Sequence, residues 1–149
     1  MSEENKDVPY ATTLQVRDTC FCLHAQRAAR ALARRFDEVF RPLGLTSGQF
    51  SLMMALNRPE PPSISQVASV LAMDRTTLTA ALKPLERRGL VEVSPGETDK
   101  RSRILKLTPA GRKLLAEALP MWEKTQDEIA TLLTQSDADR LRADLIALS

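Results

Sequence analysis

The stretch SISQVASVLAMDRTTLTAALKPLERRGLVEVSPGETDKRSRILKLT, residues Ser63 to Thr108, decides the fold. It holds two short helical patterns around a three-residue break. Two short apolar strands follow, joined by the charged tip Gly96-Glu97-Thr98-Asp99-Lys100-Arg101-Ser102-Arg103. In the second helical pattern Leu78, Ala81, Leu82 and Leu85 recur at helical spacing and predict one apolar stripe, with Thr76, Thr79, Ala80, Lys83 and Arg87 opposite. Such an outer face suits a major groove: slim hydroxyls near the helix start approach base edges, and longer cations further along reach phosphates. Arg75, Thr76, Thr77, Thr79, Lys83 and Arg87 are therefore candidate DNA contacts. Asp74 is expected to cap this helix by accepting from the amide of Thr76 or Thr77, and Gly89 to stop it.

The preceding segment, Ser65 to Ala72, starts at a Ser cap and places Val67, Val70 and Leu71 on one side; Ser65 joins the DNA-contact candidates. The break Ala72-Met73-Asp74 is too short for a wandering loop, so the two helices must cross steeply, as in a helix-turn-helix. Leu90-Val91-Glu92-Val93 and Ile104-Leu105-Lys106-Leu107 predict a hairpin whose connection opens at Pro95 and Gly96. A hairpin this small needs a floor, and the helix pair supplies one. Helix pair plus hairpin makes a winged helix.

The residues Leu85-Glu86-Arg87-Arg88-Gly89-Leu90-Val91, then Asp99-Lys100-Arg101, then Leu107-Thr108-Pro109-Ala110-Gly111 resemble the signature of the MarR family of winged-helix transcription regulators. The resemblance runs from about Leu14 to the end of the chain. It implies a triangular homodimer that binds double-stranded DNA. It also implies that Arg101 enters the minor groove from the wing tip, that Asp99 orients the wing, and that the helix from Asp74 to Arg88 lies in the major groove. The chemistry of Arg101 agrees independently: a narrow A·T-rich minor groove concentrates negative potential, and a weakly hydrated guanidinium fits it better than an ammonium. Lys100 and Arg103 are expected near phosphates. A solvated, self-paired loop is the alternative for these four charged residues.

From Arg75 to Lys106 there are eight Lys or Arg against four Asp or Glu, a local net charge of +4 in a chain that totals only +2. Basic charge is thus concentrated where the reader lies. The 149 residues suffice for one domain with its own core, mainly α with a small β-hairpin wing. The expected division is a disordered tail over 1–10, a winged-helix DNA-binding part over 46–108, and dimerisation helices over 11–41 and 109–149. The tail lacks the apolar segment of a secretory signal, and no run approaches a membrane span, so a cytoplasmic protein without membrane contact is expected.

The end segments imply a partner. From Leu14 to Phe40 an unbroken helical pattern carries Leu14, Phe21, Ala25, Ala28, Leu32, Phe36 and Val39 on one stripe, about 27 residues or roughly 40 Å of helix. Thr108 and Pro109 open another helix that continues to Thr134, with a bend expected at Pro120, and Ser136 starts a last one. A single winged helix cannot cover long stripes at both termini, so a two-fold dimer is expected. Thr46-Ser47-Gly48-Gln49 reads as a capping box opening a core helix through Phe50, Met53, Met54 and Leu56.

Cys20 and Cys22, on a continuous helix, would point about 200° apart, too divergent for an intrachain disulfide; a buried free cysteine is the ordinary expectation. Cys20-Phe21-x-Leu also resembles the reactive-cysteine segment of the organic-hydroperoxide-sensing branch of the same family, which makes Cys20 a candidate redox sensor. The tyrosines of that branch are replaced here by Phe36, Ser47 and His24. His24, one turn after Cys20, is placed to act on its thiol, while Arg27, Arg30 and Arg34 share a helix face that suits pairing with Asp137, Asp139 or Asp144, or solvent. One His, no Gly-rich phosphate loop and no metal-ligand cluster argue against an enzyme, a metal and a cofactor. The sequence thus predicts a homodimeric DNA-binding regulator, released by a small molecule wedged between the first helix and the reader or by oxidation. A winged helix that binds protein and not DNA is the rival.

Overall fold

The computed structural model describes residues 7–149, so most of the expected tail lies outside the described residues. Helices α1 (Tyr10–Thr19) and α2 (Phe21–Phe40) lead into a 3-10 turn, Arg41–Leu43, and then α3 (Ser47–Leu56). The helix pair is α4 (Ile64–Leu71) and α5 (Arg75–Arg87), the hairpin β1 (Val91–Pro95) and β2 (Arg103–Leu107), and the chain closes with α6 (Pro109–Ala130) and α7 (Ala138–Leu148).

The first long helix is not continuous. Cys20 leaves the helical region at φ −71°, ψ 113°, dividing the expected rod into α1 and α2. Beside the break Thr19 donates its hydroxyl back to the carbonyl of Gln15 at 2.7 Å, and His24 Nδ1 lies 2.7 Å from the Cys20 carbonyl oxygen. The helix also starts earlier than expected, at Tyr10 behind Pro9.

Local signals fix the middle of the chain. Thr46 and Gln49 form the reciprocal capping box that opens α3. A second box opens α4, with Ser63 as the cap and Gln66 as its partner, so the capping serine is Ser63, two residues before Ser65. Ala72, at φ 51°, makes the left-handed turn of the helix pair, and Asp74 caps α5. Pro84 sits inside α5, and the helix runs through it to Arg87. There Gly89, at φ 71°, lets the Leu90 amide reach back to the Leu85 carbonyl at 3.0 Å.

The strands pair antiparallel from Val91 opposite Leu107 to Pro95 opposite Arg103. Pro95 therefore belongs to the edge of the ladder, and the tip opens one residue later than expected. The hairpin rests on the helix pair, β1 on α5 and β2 on α4, and the α3–α4 connection adds to that floor: Ser63 bridges Ile104, and the Leu105 amide donates to Pro62 at 2.9 Å. Thr108 caps α6 and donates its own hydroxyl to the Gly89 carbonyl. Gly111 lies so close to the Leu90 carbonyl that a Cβ there would collide with it. These contacts explain why Leu-Thr-Pro-x-Gly follows the second strand.

α6 continues through Pro120 but ends at Ala130, short of Thr134, and the cap of α7 is Asp137, not Ser136. Asp137 accepts from the Arg140 amide at 2.8 Å and outcompetes the hydroxyl next to it. Met53, Leu78, Leu85 and Leu105 lie at the centre of a core that spans α2 to α6, with Phe36, Phe40, Phe50 and Trp122 stacked in series at one side. Neither α1 nor α7 buries a residue in that core: Tyr10 is 73% exposed, Ile146 74% and Leu148 68%. Among the described residues no helix is long and apolar enough to cross a membrane.

Candidate nucleic-acid interface

α5 buries Leu78, Leu82 and Leu85 and turns its other face outward. Arg75, Thr76, Thr79, Ala80 and Lys83 together line a shallow depression of about 350 Å³ on that face. Arg87, one turn beyond Lys83, is exposed at the same side of the helix. Small residues at the centre let a flat partner approach the helix closely, and the cations border them.

The three threonines differ in what they can offer. Thr77 gives both its amide and its hydroxyl proton to the Asp74 carboxylate, each at 2.7 Å. Its donors are used on the cap, and its exposed hydroxyl oxygen is left as an acceptor. Those same bonds, the backbone one first, hold the Asp74 carboxyl below its ordinary value of 3.8. Thr79 donates to the Arg75 carbonyl at 2.8 Å, so its oxygen is left as an acceptor. Thr76 has no side-chain bond among the described residues and keeps both roles. Ser65 is exposed in the first turn of α4 and does not line the α5 depression.

The wing tip is built around Asp99. One of its carboxylate oxygens accepts the Arg101 amide at 2.9 Å, and its carbonyl accepts the amide and hydroxyl of Ser102 at 3.1 and 2.8 Å. Gly96 donates across the tip to the Ser102 carbonyl at 3.0 Å. It sits so close to Ser102 and Asp99 that no side chain fits there. The carboxylate is thus used on backbone, not on the neighbouring guanidinium. The ion pairs among the described residues are Arg17–Asp18, Glu38–Arg41, Asp137–Arg140 and Asp139–Arg142, none of them in the reader. Lys100, Arg101 and Arg103 are exposed and unpaired among the described residues, which removes the self-paired loop.

Arg88 escaped the sequence reading. Its guanidinium donates to the carbonyls of Gly44 at 2.7 Å and Leu43 at 3.2 Å, a tie spanning 44 residues that no local pattern reveals.

On α2, His24, Arg27, Arg30 and Arg34 border an open basic depression of about 480 Å³. Within the chain Asp137 and Asp139 pair with Arg140 and Arg142 instead. The cysteines are not buried: Cys20 is half-exposed at the helix break and Cys22 is exposed, its sulfur accepting from Gln26 at 3.3 Å. Because Cys20 is not helical, the divergence expected for two thiols on one helix does not apply. The His24 ring meets the Cys20 backbone rather than its thiol. Among the described residues no three His, Cys, Asp or Glu gather as metal ligands.

An apolar groove of about 410 Å³ opens between α3, α4 and α6, lined by Phe50, Met54, Val70, Leu71, Leu119 and Trp122, with Ser51 at its edge. It borders the reader but not the first helix.

The profile described as the MarR family matches residues 45–102. The transcriptional regulator HosA of Escherichia coli O157:H7 is 35% identical over 97 residues, covering 64% of this chain and 70% of HosA. Among solved structures, the Mycobacterium tuberculosis transcriptional regulator MosR in complex with DNA superposes with a TM-score of 0.80 at 36% identity, covering 87% of this chain and 93% of MosR. The repressor CouR on a 23-mer DNA duplex superposes with a TM-score of 0.78 at 28% identity, covering 89% and 94%. CouR, from Rhodococcus jostii RHA1, has also been solved with p-coumaroyl-CoA.

Proposed function

The chain belongs to the MarR family of winged helix-turn-helix DNA-binding transcription regulators, and from that premise we propose that it is a homodimeric repressor of a pseudo-palindromic operator. The family is one of regulators and not of enzymes. The observation that carries the proposal is the pairing of two outward features in one small body: the α5 face of Thr76, Thr79 and Lys83, and a wing whose three cations lack partners among the described residues.

In this account Thr76 and Thr79 meet base edges, while Arg75, Lys83, Arg87, Lys100 and Arg103 sit against phosphates and Ser65 adds a neutral phosphate bond from α4. Arg101 enters the minor groove, with Asp99 holding the tip in shape. Two copies join through α1, α2, α6 and α7, where the single chain leaves Val16, Phe21, Leu132, Leu145, Ile146 and Leu148 exposed nearby. The heads then stand near one helical turn apart, roughly 34 Å.

The signal acts on that separation. A small apolar molecule in the groove beside Trp122 wedges α6 away from α3 and α4, and so favours a head spacing that does not match the operator. The binding of p-coumaroyl-CoA by CouR supports a small-molecule effector. Oxidation of Cys20 is the second trigger, favoured by its half-exposed place at the break between α1 and α2.

The test is duplex binding followed from about 50 to 200 mM salt, where each neutralised phosphate contributes a slope of about −0.9 in log affinity against log salt. A steep negative slope supports DNA as the partner. A flat response transfers the fold to the protein-binding class.

A further inference from the structure

We infer that Arg88 is a positioning residue that fixes the angle of the recognition helix against the dimer arm. It rests on the proposed DNA binding for its purpose, though not for its geometry. Arg88 is the C-terminal cap of α5. Its Nη1 donates to the Gly44 carbonyl at 2.7 Å and its Nη2 to the Leu43 carbonyl at 3.2 Å. Those carbonyls end the 3-10 turn that finishes α2, where helical acceptors lack intrahelical partners and partial negative charge collects. A planar fork with two parallel donors matches two adjacent carbonyls, and a single ammonium does not.

The surroundings give this fork its consequence. α5 packs chiefly on α4 and β1. Among the described residues the two Arg88 bonds are the only side-chain hydrogen bonds that join α5 or its cap to α2 and the turn after it. Gly44, at φ 66°, lies beside the guanidinium: a Cβ there would be 3.4 Å from Nη2. The arms set where the two heads stand, and this joint passes that placement to the helix that reads. With 13 residues α5 is about 20 Å long, so a tilt of about 10° at the Arg88 end moves Thr76 by about 3 Å. That displacement is enough to lose a base contact. The Arg88 guanidinium, though the residue is exposed, is engaged by the two turn carbonyls, and on this inference its part in binding is geometric.

Arg88→Ala and Arg88→Lys separate these roles. Both variants are expected to remain dimeric, to bind a palindromic duplex about tenfold more weakly than the parent protein, and to keep the parent salt slope. Both should also tolerate half-site spacings one base pair away from the optimum better than the parent does. Hydrogen exchange of the free protein, which needs no DNA, should speed up at Gly44, Leu45, Gly89 and Leu90 in both. If Lys restores parent affinity, or if Ala lowers the salt slope by about one unit, Arg88 acts as a charge on phosphate and the inference is overturned. Unchanged exchange at those four amides overturns it as well. A parent protein that binds no duplex would end the proposed function, while the exchange result would still decide whether the joint exists.

Discussion

Asp99 and Arg101 make opposite electrostatic statements in the same loop, and that makes them separable. Removing Asp99 raises the net charge by one, so simple Coulomb attraction to DNA predicts tighter binding by Asp99→Ala. The observed bonds predict the reverse: without its carboxylate the Arg101 amide is released, the tip loses its shape, and affinity falls several-fold in a fluorescence anisotropy titration. Arg101→Ala is expected to weaken binding by about tenfold and to abolish preference for A·T at the outer positions, while an unchanged affinity would dismiss the wing contact. Asp74 gives a pH signature. Its carboxyl is held below 3.8 by Thr77, so its stabilisation of α5 is complete above that value and is lost as pH falls through the lower folded value. The melting temperature of Asp74→Ala should therefore lie below the parent's at pH 7, with the gap closing under acid below 3.8.

At the scale of elements, what was legible in the chain was what is encoded within a few residues. The capping box at Thr46, the cap at Asp74 and the stop at Gly89 stand where their side chains predict, because each satisfies a helix-end group only one turn away. Cys20 was not legible as a break, since neither Gly nor Pro marks it. Thr77 was legible as a residue of the exposed helix start, and only the geometry shows its hydroxyl proton used on Asp74. Arg88 was missed for a different reason: its acceptors are 44 residues away in sequence. The joint after β2 offers an element-scale prediction. Thr108→Ala loses the α6 cap and the bond to Gly89, at about 1 kcal/mol or more. Gly111→Ala forces a Cβ against the Leu90 carbonyl and should cost about 1–3 kcal/mol in denaturant melts, with β1 shifted if the protein still folds. A neutral Gly111→Ala would mean that α6 and the wing base are not in close contact.

The described residues form a reader with a buried core and end helices, α1 and α7, that bury no residue in it. Leu145, Ile146 and Leu148 on α7 and Val16 and Phe21 at the other end are all exposed in the single chain. The proposed pairing of two copies would remove that surface and would convert a weak half-site reader into one that needs two half-sites at a set distance. Replacing Leu145 and Leu148 with Asp should shift sedimentation from dimer toward monomer and lower operator affinity much more than half-site affinity. A double variant that stays fully dimeric would remove α7 from the interface. The most direct measurement of the central claim is selection of bound duplexes from random DNA by the purified protein. Two inverted half-sites centred about one helical turn apart, roughly 34 Å, are predicted. Recovery of a lone half-site, or of no shared sequence at all, would contradict a pair of reading heads matched to B-form DNA.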